Sequence, residues 1–144
     1  MQFKILITDP ISKTGLDMLR DFGLEVLYKP DISNDEMQSI VSDIHGWIIR
    51  SGTNIDEQLI SDANKLQIIG RAGVGTDNIN ISAATTRGII VMNVPDGNTI
   101  SAAEHTMAML LSLSRNIQLG HMGLIKGEWN RHQLTGTELK NKIL

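Results

Sequence analysis

The alternation of short apolar runs with helical segments constrains the fold of this chain more than any other feature. Five runs of strand length precede Pro95, and segments with helical periodicity or helix-capping residues separate them. The runs begin at Lys4, Leu24, Gly46, Gln67 and Ile89. Strands joined through helices form parallel sheets that are covered on both faces. The sequence therefore predicts an α/β fold with a flavodoxin-like, five-stranded parallel sheet.

A nearly all-apolar helix is predicted after this sheet. It should run from Ser101 to Leu119, with Ser101 and Glu104 at the spacing of a capping box. A helix that is apolar on most sides must be buried on most sides. Two interpretations remain open: the helix packs inside one domain, or it joins domains or subunits. A shorter helix follows from Gly120 to Lys126, and residues 141–144 resemble the start of a strand.

Charge and composition exclude several classes of function. The net charge of −3 argues against a general affinity for nucleic acid or anionic membranes, which attract basic surfaces. The chain has no cysteine, and its histidines and acids lack the spacing of metal ligands, so we expect no disulfide and no metal site. It shows no signal-peptide pattern and no apolar run of the roughly 18 residues that span a membrane. We therefore expect a cytoplasmic protein.

Residues suited to anion binding follow the third and fourth strands. Arg50 and Ser51 follow one strand, and Arg71 leads into Gly73-Val74-Gly75 after the next. In parallel sheets ligands bind at the carboxyl ends of strands, and glycine lets backbone N–H groups approach an oxyanion. These residues predict an anion site. Two simpler interpretations stay open: the glycine pair makes only a tight turn, and Arg50 is only a surface cation.

The Gly-X-Gly run also imitates the start of a dinucleotide fingerprint, G-x-G-x-x-G. Asn78 stands where that fingerprint requires its third glycine. The run therefore does not predict a dinucleotide site by itself.

Several segments together resemble the D-2-hydroxyacid dehydrogenases, and they follow the family's order along the whole chain. They are residues 49–53, 66–79, 93–95, 97–105, 115–117, 127–129 and 136–139. The style of the Arg-Ser-Gly-Thr and Gly-Arg-Ala-Gly-Val-Gly runs is closest to the phosphoglycerate branch of that family. The resemblance implies an NAD-dependent oxidoreductase of 2-hydroxy acids, with 3-phosphoglycerate as substrate in the first step of serine biosynthesis. Another D-2-hydroxy acid remains the alternative substrate.

The resemblance also implies a division into two domains. Residues 1–97 would be the first segment of the substrate-binding domain, and residues 98–144 the start of a Rossmann NAD-binding domain. The 101–119 helix would carry the contacts of a homo-oligomer. The family's Gly-rich fingerprint and its catalytic Arg, Glu and His match no position of these 144 residues. We therefore expect no catalytic residue in this chain, and no activity from it alone.

The substrate-binding roles of the family can be carried over by motif. The resemblance implies that the amides of Val74 and Gly75 hold the substrate carboxylate. Arg50, with Ser51 nearby, would bind the phosphate at the far end. Asn98 would lie by the reacting carbon and the nicotinamide of NAD.

Two further arginines are weaker candidates on the same grounds. Arg71 would be a second anion contact at the strand end. Arg131 matches a position from which the family can supply a cation to the phosphate site of a neighbouring subunit.

A different class of function also fits the sequence. A natural short protein could bind a small anion, or pair with full-length subunits, without catalysing a reaction. The coding sequence beyond residue 144 would distinguish this hypothesis from a part of an oxidoreductase.

Overall fold

The computed structural model describes residues 2–143 and divides into two compact units between Gly97 and Asn98. The first unit contains a five-stranded sheet. Its strands are β1 (Lys4–Ile7), β2 (Glu25–Tyr28), β3 (Gly46–Ile49), β4 (Ile68–Arg71) and β5 (Ile90–Met92). Each strand lies inside one of the predicted apolar runs, so the prediction of five strands is confirmed.

The sheet has the strand order β2-β1-β3-β4-β5, and every neighbouring pair is parallel. This is the order 2-1-3-4-5 of flavodoxin-like folds, in which ligands bind outside the carboxyl ends of the strands. The predicted fold class is confirmed. The carboxyl ends of β1, β3 and β4 lie side by side in the middle of that edge.

Short capped helices connect the strands of the first unit. They are α1 (Lys13–Asp21), α2 (Asn34–Ile40), α3 (Glu57–Asp62) and α4 (Ile81–Thr86). Each begins after a polar side chain that accepts a hydrogen bond from a backbone N–H in the first turn, as N-cap residues do. These N-caps are Ser12, Ser33, Asp56 and Asn80. Gly23 and Gly88 follow α1 and α4 with φ of 76° and 68°, a backbone conformation that favours glycine.

The core covers both faces of the sheet. Leu6, Trp47 and Ile69 belong to a buried cluster on one face. Ile5 and Ile7 pack with Leu16 of α1 in a second cluster. Successive side chains of a strand point to opposite faces, so β1 contributes to both clusters. The sheet is therefore buried on its two sides, and its carboxyl edge is left for polar loops.

In the second unit, the described residues form α5 (Thr99–Ser114), α6 (Ile117–Ile125) and a 3-10 turn (Arg131–Leu134). The predicted single helix from Ser101 to Leu119 is wrong in its bounds. Asn116 adopts a left-handed conformation with φ of 53°, and a residue in that conformation ends a helix. The break falls at the short polar run Ser114-Arg115-Asn116, and apolar residues resume at Ile117, so the prediction carried one helix through it.

Two smaller predictions on this unit are also wrong. The helix begins at Thr99 rather than Ser101, so Ser101 lies inside the first turn and cannot act as the N-cap. The predicted strand at 141–144 is not seen in its described residues: Asn141 has a φ of 60°, and Lys142 N donates to Leu139 O at 3.1 Å in a turn. Leu144 lies outside the described residues. No helix within residues 2–143 is long and apolar enough to cross a membrane.

Candidate functional site at the carboxyl edge of the sheet

The loops that follow β3 and β4 leave the sheet next to each other. Ile49 pairs with Arg71 in the parallel register, and Ala72 N donates to Ile49 O at 2.8 Å. Arg50 therefore begins its loop beside the first residue of the next loop. The structure brings together the two arginine-bearing segments that the sequence predicted to lie on one edge.

The loop from Arg50 to Thr53 is held by a buried carboxylate. Asp9 follows β1 and is only 6% exposed. Its Oδ2 accepts hydrogen bonds from Arg50 N at 2.8 Å and Thr53 N at 3.1 Å. Its Oδ1 accepts one from Gly52 N at 3.0 Å. Three backbone donors thus fix the loop while the side chain of Arg50 stays exposed.

Hydroxyl groups beneath this loop are buried and hydrogen-bonded to each other. Thr53 Oγ1 donates to Thr8 Oγ1 at 2.8 Å, and Trp47 Nε1 donates to the same oxygen at 3.0 Å. Buried polar groups are costly unless they are paired. The pairing therefore anchors the loop to β1 and β3.

Asn78 connects the two loops. It belongs to the segment after β4, and its Nδ2 donates to Arg50 O at 2.7 Å and to Thr53 O at 2.6 Å. Asp9 holds the N–H groups of the Arg50 loop, and Asn78 holds its carbonyl groups. The two loops at this edge therefore form one hydrogen-bonded unit.

The glycine loop after β4 is shaped by its neighbours. Gly73 N donates to Arg71 O at 2.8 Å, and Asn93 Nδ2 donates to Val74 O at 2.7 Å. Among the described residues, the N–H groups of Val74 and Gly75 donate no hydrogen bond. These two amides are therefore free to donate to a ligand, and their role in binding the substrate carboxylate stays a prediction.

Arg71 folds back over this loop. Its guanidinium lies so close to Gly73 that a Cβ there would overlap it. Arg71 Nε is buried and has no hydrogen-bond partner among the described residues. A buried donor without a partner is unfavourable, and a bound anion would satisfy it. Asp77 Oδ1 also lies beside Gly75, so a negative charge flanks the positive one.

Arg50 borders an open cleft of about 610 Å³. The first turn of α1 forms one wall, with Ser12 and Gly15, while Ile48 and Ala72 line it from the sheet. Small-molecule sites commonly have volumes of about 300–1,000 Å³. The cleft is large enough for a small hydroxy acid.

Another cleft, of about 340 Å³, lies between α3 and α4. Arg87 lines it, but the guanidinium of Arg87 already donates to Ile60 O and Ser61 O at 2.5 and 2.6 Å. This arginine caps the end of α3. The cleft at the carboxyl edge is the better candidate for an anion.

The remaining predicted site residues belong to the second unit. Asn98 is exposed at the N-cap position of α5, and its side chain makes no capping hydrogen bond. Arg131 is exposed at the start of the 3-10 turn. Their roles remain predictions. Ser51 lies in the Arg50 loop and is exposed.

The sequence did not reveal the importance of Asp9 and Asn78. Both act on backbone groups at least 25 residues away along the chain, and no periodic pattern records such a contact. One signal was available: an Asp two residues after the end of β1 and a glycine two residues after Arg50. Gly52 is needed because a Cβ there would overlap Asp9 Oδ1.

The clear pKa shifts lie at the opposite edge of the sheet. Hydrogen bonds from Lys4 and Lys65 lower the pKa of Asp43 to about 2, and hydrogen bonding to Asp43 raises the pKa of Lys4. Lys65 Nζ lies 2.5 Å from Asp43 Oδ1, and Lys4 forms an ion pair with the same carboxylate. These residues precede or begin their strands. They are a structural network, separate from the candidate site.

Comparison with known proteins assigns the chain to a family. The model of the family described as "D-isomer specific 2-hydroxyacid dehydrogenase, catalytic domain" matches residues 5–139. The chain therefore belongs to the D-isomer specific 2-hydroxyacid dehydrogenases, which confirms the resemblance read from the sequence motifs.

Individual relatives narrow the similarity to one branch. The chain is 43% identical over 141 residues to D-3-phosphoglycerate dehydrogenase of Sus scrofa, and 45% identical over 139 residues to that of Archaeoglobus fulgidus. The two matches include 98% and 96% of this chain, but only 26% of each relative. The chain thus spans about a quarter of the length of the curated relatives that it matches.

A solved structure supports the same assignment. The cofactor (NAD+) bound 3-phosphoglycerate dehydrogenase of Entamoeba histolytica matches with a TM-score of 0.68 and 31% sequence identity. The match covers 80% of this chain and 40% of that one.

Proposed function

We propose that this chain is the substrate-binding part of an NAD-dependent dehydrogenase that oxidises 3-phosphoglycerate to 3-phosphohydroxypyruvate. One observation carries the proposal. The exposed Arg50 and the N–H groups of Val74 and Gly75, which donate no hydrogen bond among the described residues, lie on the same hydrogen-bonded edge of the sheet. Such an edge can hold a small molecule that is anionic at both ends. The named relatives are phosphoglycerate dehydrogenases, which favours this substrate over other hydroxy acids.

Each end of the substrate would meet a different chemistry. The amides of Val74 and Gly75 would bind the carboxylate. Arg50 would bind the phosphate, with the Ser51 hydroxyl beside it. Planar guanidinium groups bind oxyanions through paired, charge-assisted hydrogen bonds. The carboxylate would also accept a hydrogen bond from Arg71 Nε, which has no partner among the described residues.

Residues 1–97 would form the substrate-binding domain, and residues 98–144 would begin the NAD-binding domain. The residues present fit NAD only in part. Asn98 has a side-chain amide free to meet the nicotinamide, but Asn78 replaces the third glycine of a fingerprint in the Gly73 loop. NAD, when bound, would supply the acceptor for the hydride from C2. Within residues 1–144 we assign no proton-transfer residue, so these residues would bind and orient the acid.

The second unit would also provide a contact between subunits. Its α5 helix has no buried residue, and the side chains of Met107, Met109, Leu111 and Leu113 are exposed. Burying a Leu or Met side chain contributes about 1.5–3 kcal/mol, so this surface favours association. We propose that α5 joins two copies of the protein, with Arg131 supplying a cation to the partner's phosphate site.

Two assays test the proposed function. The natural protein that carries this sequence should reduce NAD with 3-phosphoglycerate, and D-glycerate should be a much poorer substrate. A polypeptide of residues 1–144 alone should give no NADH, because a hydride transfer also needs a proton acceptor. Binding of 3-phosphoglycerate by the natural protein without any NAD reduction would instead favour a non-catalytic anion-binding protein. Activity of the purified 144-residue polypeptide would contradict the assignment of its role as binding alone.

A further inference from the structure

We propose that Asp9 and Asn78 are positioning residues that hold the Arg50 loop at a fixed place relative to the Val74–Gly75 amides. This pair, which we call the loop clamp, would set the length of the acid that the site accepts. The inference rests on the proposed function for the identity of the ligand. Its geometric basis is independent of that function.

The first half of the clamp is the buried carboxylate of Asp9. It accepts hydrogen bonds from Arg50 N, Gly52 N and Thr53 N, and among the described residues it has no ion pair. Successive backbone N–H groups that converge on one carboxylate form a concave anion-binding turn. Here the bound anion is the protein's own side chain. Asp9 thereby fixes the backbone from which Arg50 projects.

Gly52 shows how closely the carboxylate approaches. A Cβ at this position would overlap Asp9 Oδ1, so a larger residue must displace either the loop or the carboxylate. The glycine has no positive φ that would explain its presence by backbone conformation alone. Its small size therefore serves the contact with Asp9.

The second half of the clamp is the amide of Asn78. Its two hydrogen bonds reach carbonyl groups at both ends of the same loop, those of Arg50 and Thr53. Asn78 itself lies three residues after Gly75 in the loop after β4. It therefore couples the arginine directly to the loop that presents the amides. Movement of one anion-binding end would carry the other with it.

A fixed separation between two anion-binding ends discriminates by length. A molecule with a carboxylate at one end and a phosphate at the other gains both sets of contacts only when its length matches. Relaxing the clamp should lower the affinity for the phosphorylated acid and leave the affinity for the unphosphorylated acid nearly unchanged. If the clamp had only a structural role, relaxing it would lower the affinity for both acids equally, or would lower only the stability of the fold.

The test uses Asp9→Asn, Asn78→Ala and Gly52→Ala in the natural protein, with Asp31→Asn as a matched control. Asp31 is an exposed acid in the same unit. Hydrogen–deuterium exchange would be measured for the peptide that contains residues 50–53. Calorimetry would give the affinities for 3-phosphoglycerate and for D-glycerate. Asp9→Asn keeps the side-chain volume, and Gly52→Ala perturbs the same contact from the other side. If one of these variants does not fold, the other still tests the contact.

We expect Asp9→Asn to speed exchange of the 50–53 peptide by about tenfold or more, since one charge-assisted hydrogen bond corresponds to roughly a decade. The affinity for 3-phosphoglycerate should fall by about tenfold in all three variants, and that for D-glycerate by less than about twofold. Asp31→Asn should change neither quantity.

Two results would overturn the clamp: unchanged exchange in Asp9→Asn, or an equal loss of affinity for both acids. A wild-type protein that does not bind 3-phosphoglycerate would overturn the proposed function and with it the selection by length, while the exchange measurement still decides whether Asp9 fixes the loop. The exchange measurement and the wild-type titration are separate, so the two failures are distinguishable.

Discussion

Replacing Arg50 with Ala tests its proposed role in phosphate binding most directly. Its guanidinium is exposed and forms no ion pair among the described residues, so its loss breaks no salt bridge of the fold. The loop itself is held by the backbone N and O of residue 50, which an alanine retains. A change in kinetics would therefore report on the ligand and not on the loop.

The magnitude follows from the exposure of the guanidinium. Two charge-assisted hydrogen bonds to a phosphate are worth about 1.5–3 kcal/mol each in favourable settings. Solvent screens an exposed pair, so we take only about 1.4 kcal/mol, which is one decade in affinity. In the natural protein, Arg50→Ala should raise KM for 3-phosphoglycerate by about tenfold or more, and kcat should change less, because uniform binding is what is lost.

Steady-state rates of NADH formation would measure this effect with 3-phosphoglycerate and with D-glycerate. D-glycerate keeps the carboxylate and the hydroxyl, so its KM should change much less. Arg20→Ala removes another exposed arginine of the same unit and serves as the matched control. A KM for 3-phosphoglycerate within a factor of two of the wild type would show that Arg50 is only a surface cation.

Three further changes test other features. Replacing Met109 and Leu113 with Glu should shift the natural protein toward monomers in analytical ultracentrifugation, because both side chains are exposed and apolar on α5; an unchanged oligomer would contradict the subunit contact. Asp43 has a pKa lowered to about 2, so it contributes stability above its ordinary pKa of 3.8, and this contribution is lost as the pH falls from there toward 2. Thermal melts of Asp43→Asn should lack that part of the acid dependence, and identical pH profiles would refute it. Gly23→Ala should destabilise the fold by about 1 kcal/mol in urea titrations, because φ is 76° and nothing crowds the position; no loss would show that the turn relaxes.

The sheet could be predicted from the sequence because its signals are local. Each strand is a short apolar run that ends at a glycine or a polar residue, and the N-caps Ser12, Ser33, Asp56 and Asn80 mark where the helices begin. The parallel orientation of the strands was predicted from the helices between them. Strand ends were trimmed by one or two residues in the structure, since the pairing register and not hydrophobicity decides where a strand stops.

The break between α5 and α6 could not be predicted in the same way. Asn116 lies in the polar run Ser114-Arg115-Asn116, which is too short to separate one helix from two by periodicity alone, and its side chain is held by a residue far along the chain. Its Nδ2 donates to Thr135 O at 3.1 Å, 19 residues away. The same limit applied to the candidate site. The arginines and glycines could be placed on one edge, but the carboxylate of Asp9 beneath them could not.

The ion pairs of Lys4, Asp43 and Lys65 lie at one end of four-residue strands, and the loops of the candidate anion site lie at the other end. Four residues of strand span about 13 Å, which exceeds the Debye length of about 8 Å at physiological salt. Substitutions at sites this far apart, with no shared partner, usually have additive effects on the free energy. The ion pairs at the amino ends of the strands can therefore be redesigned for tolerance to heat or acid, and ligand selectivity at the carboxyl ends should not change.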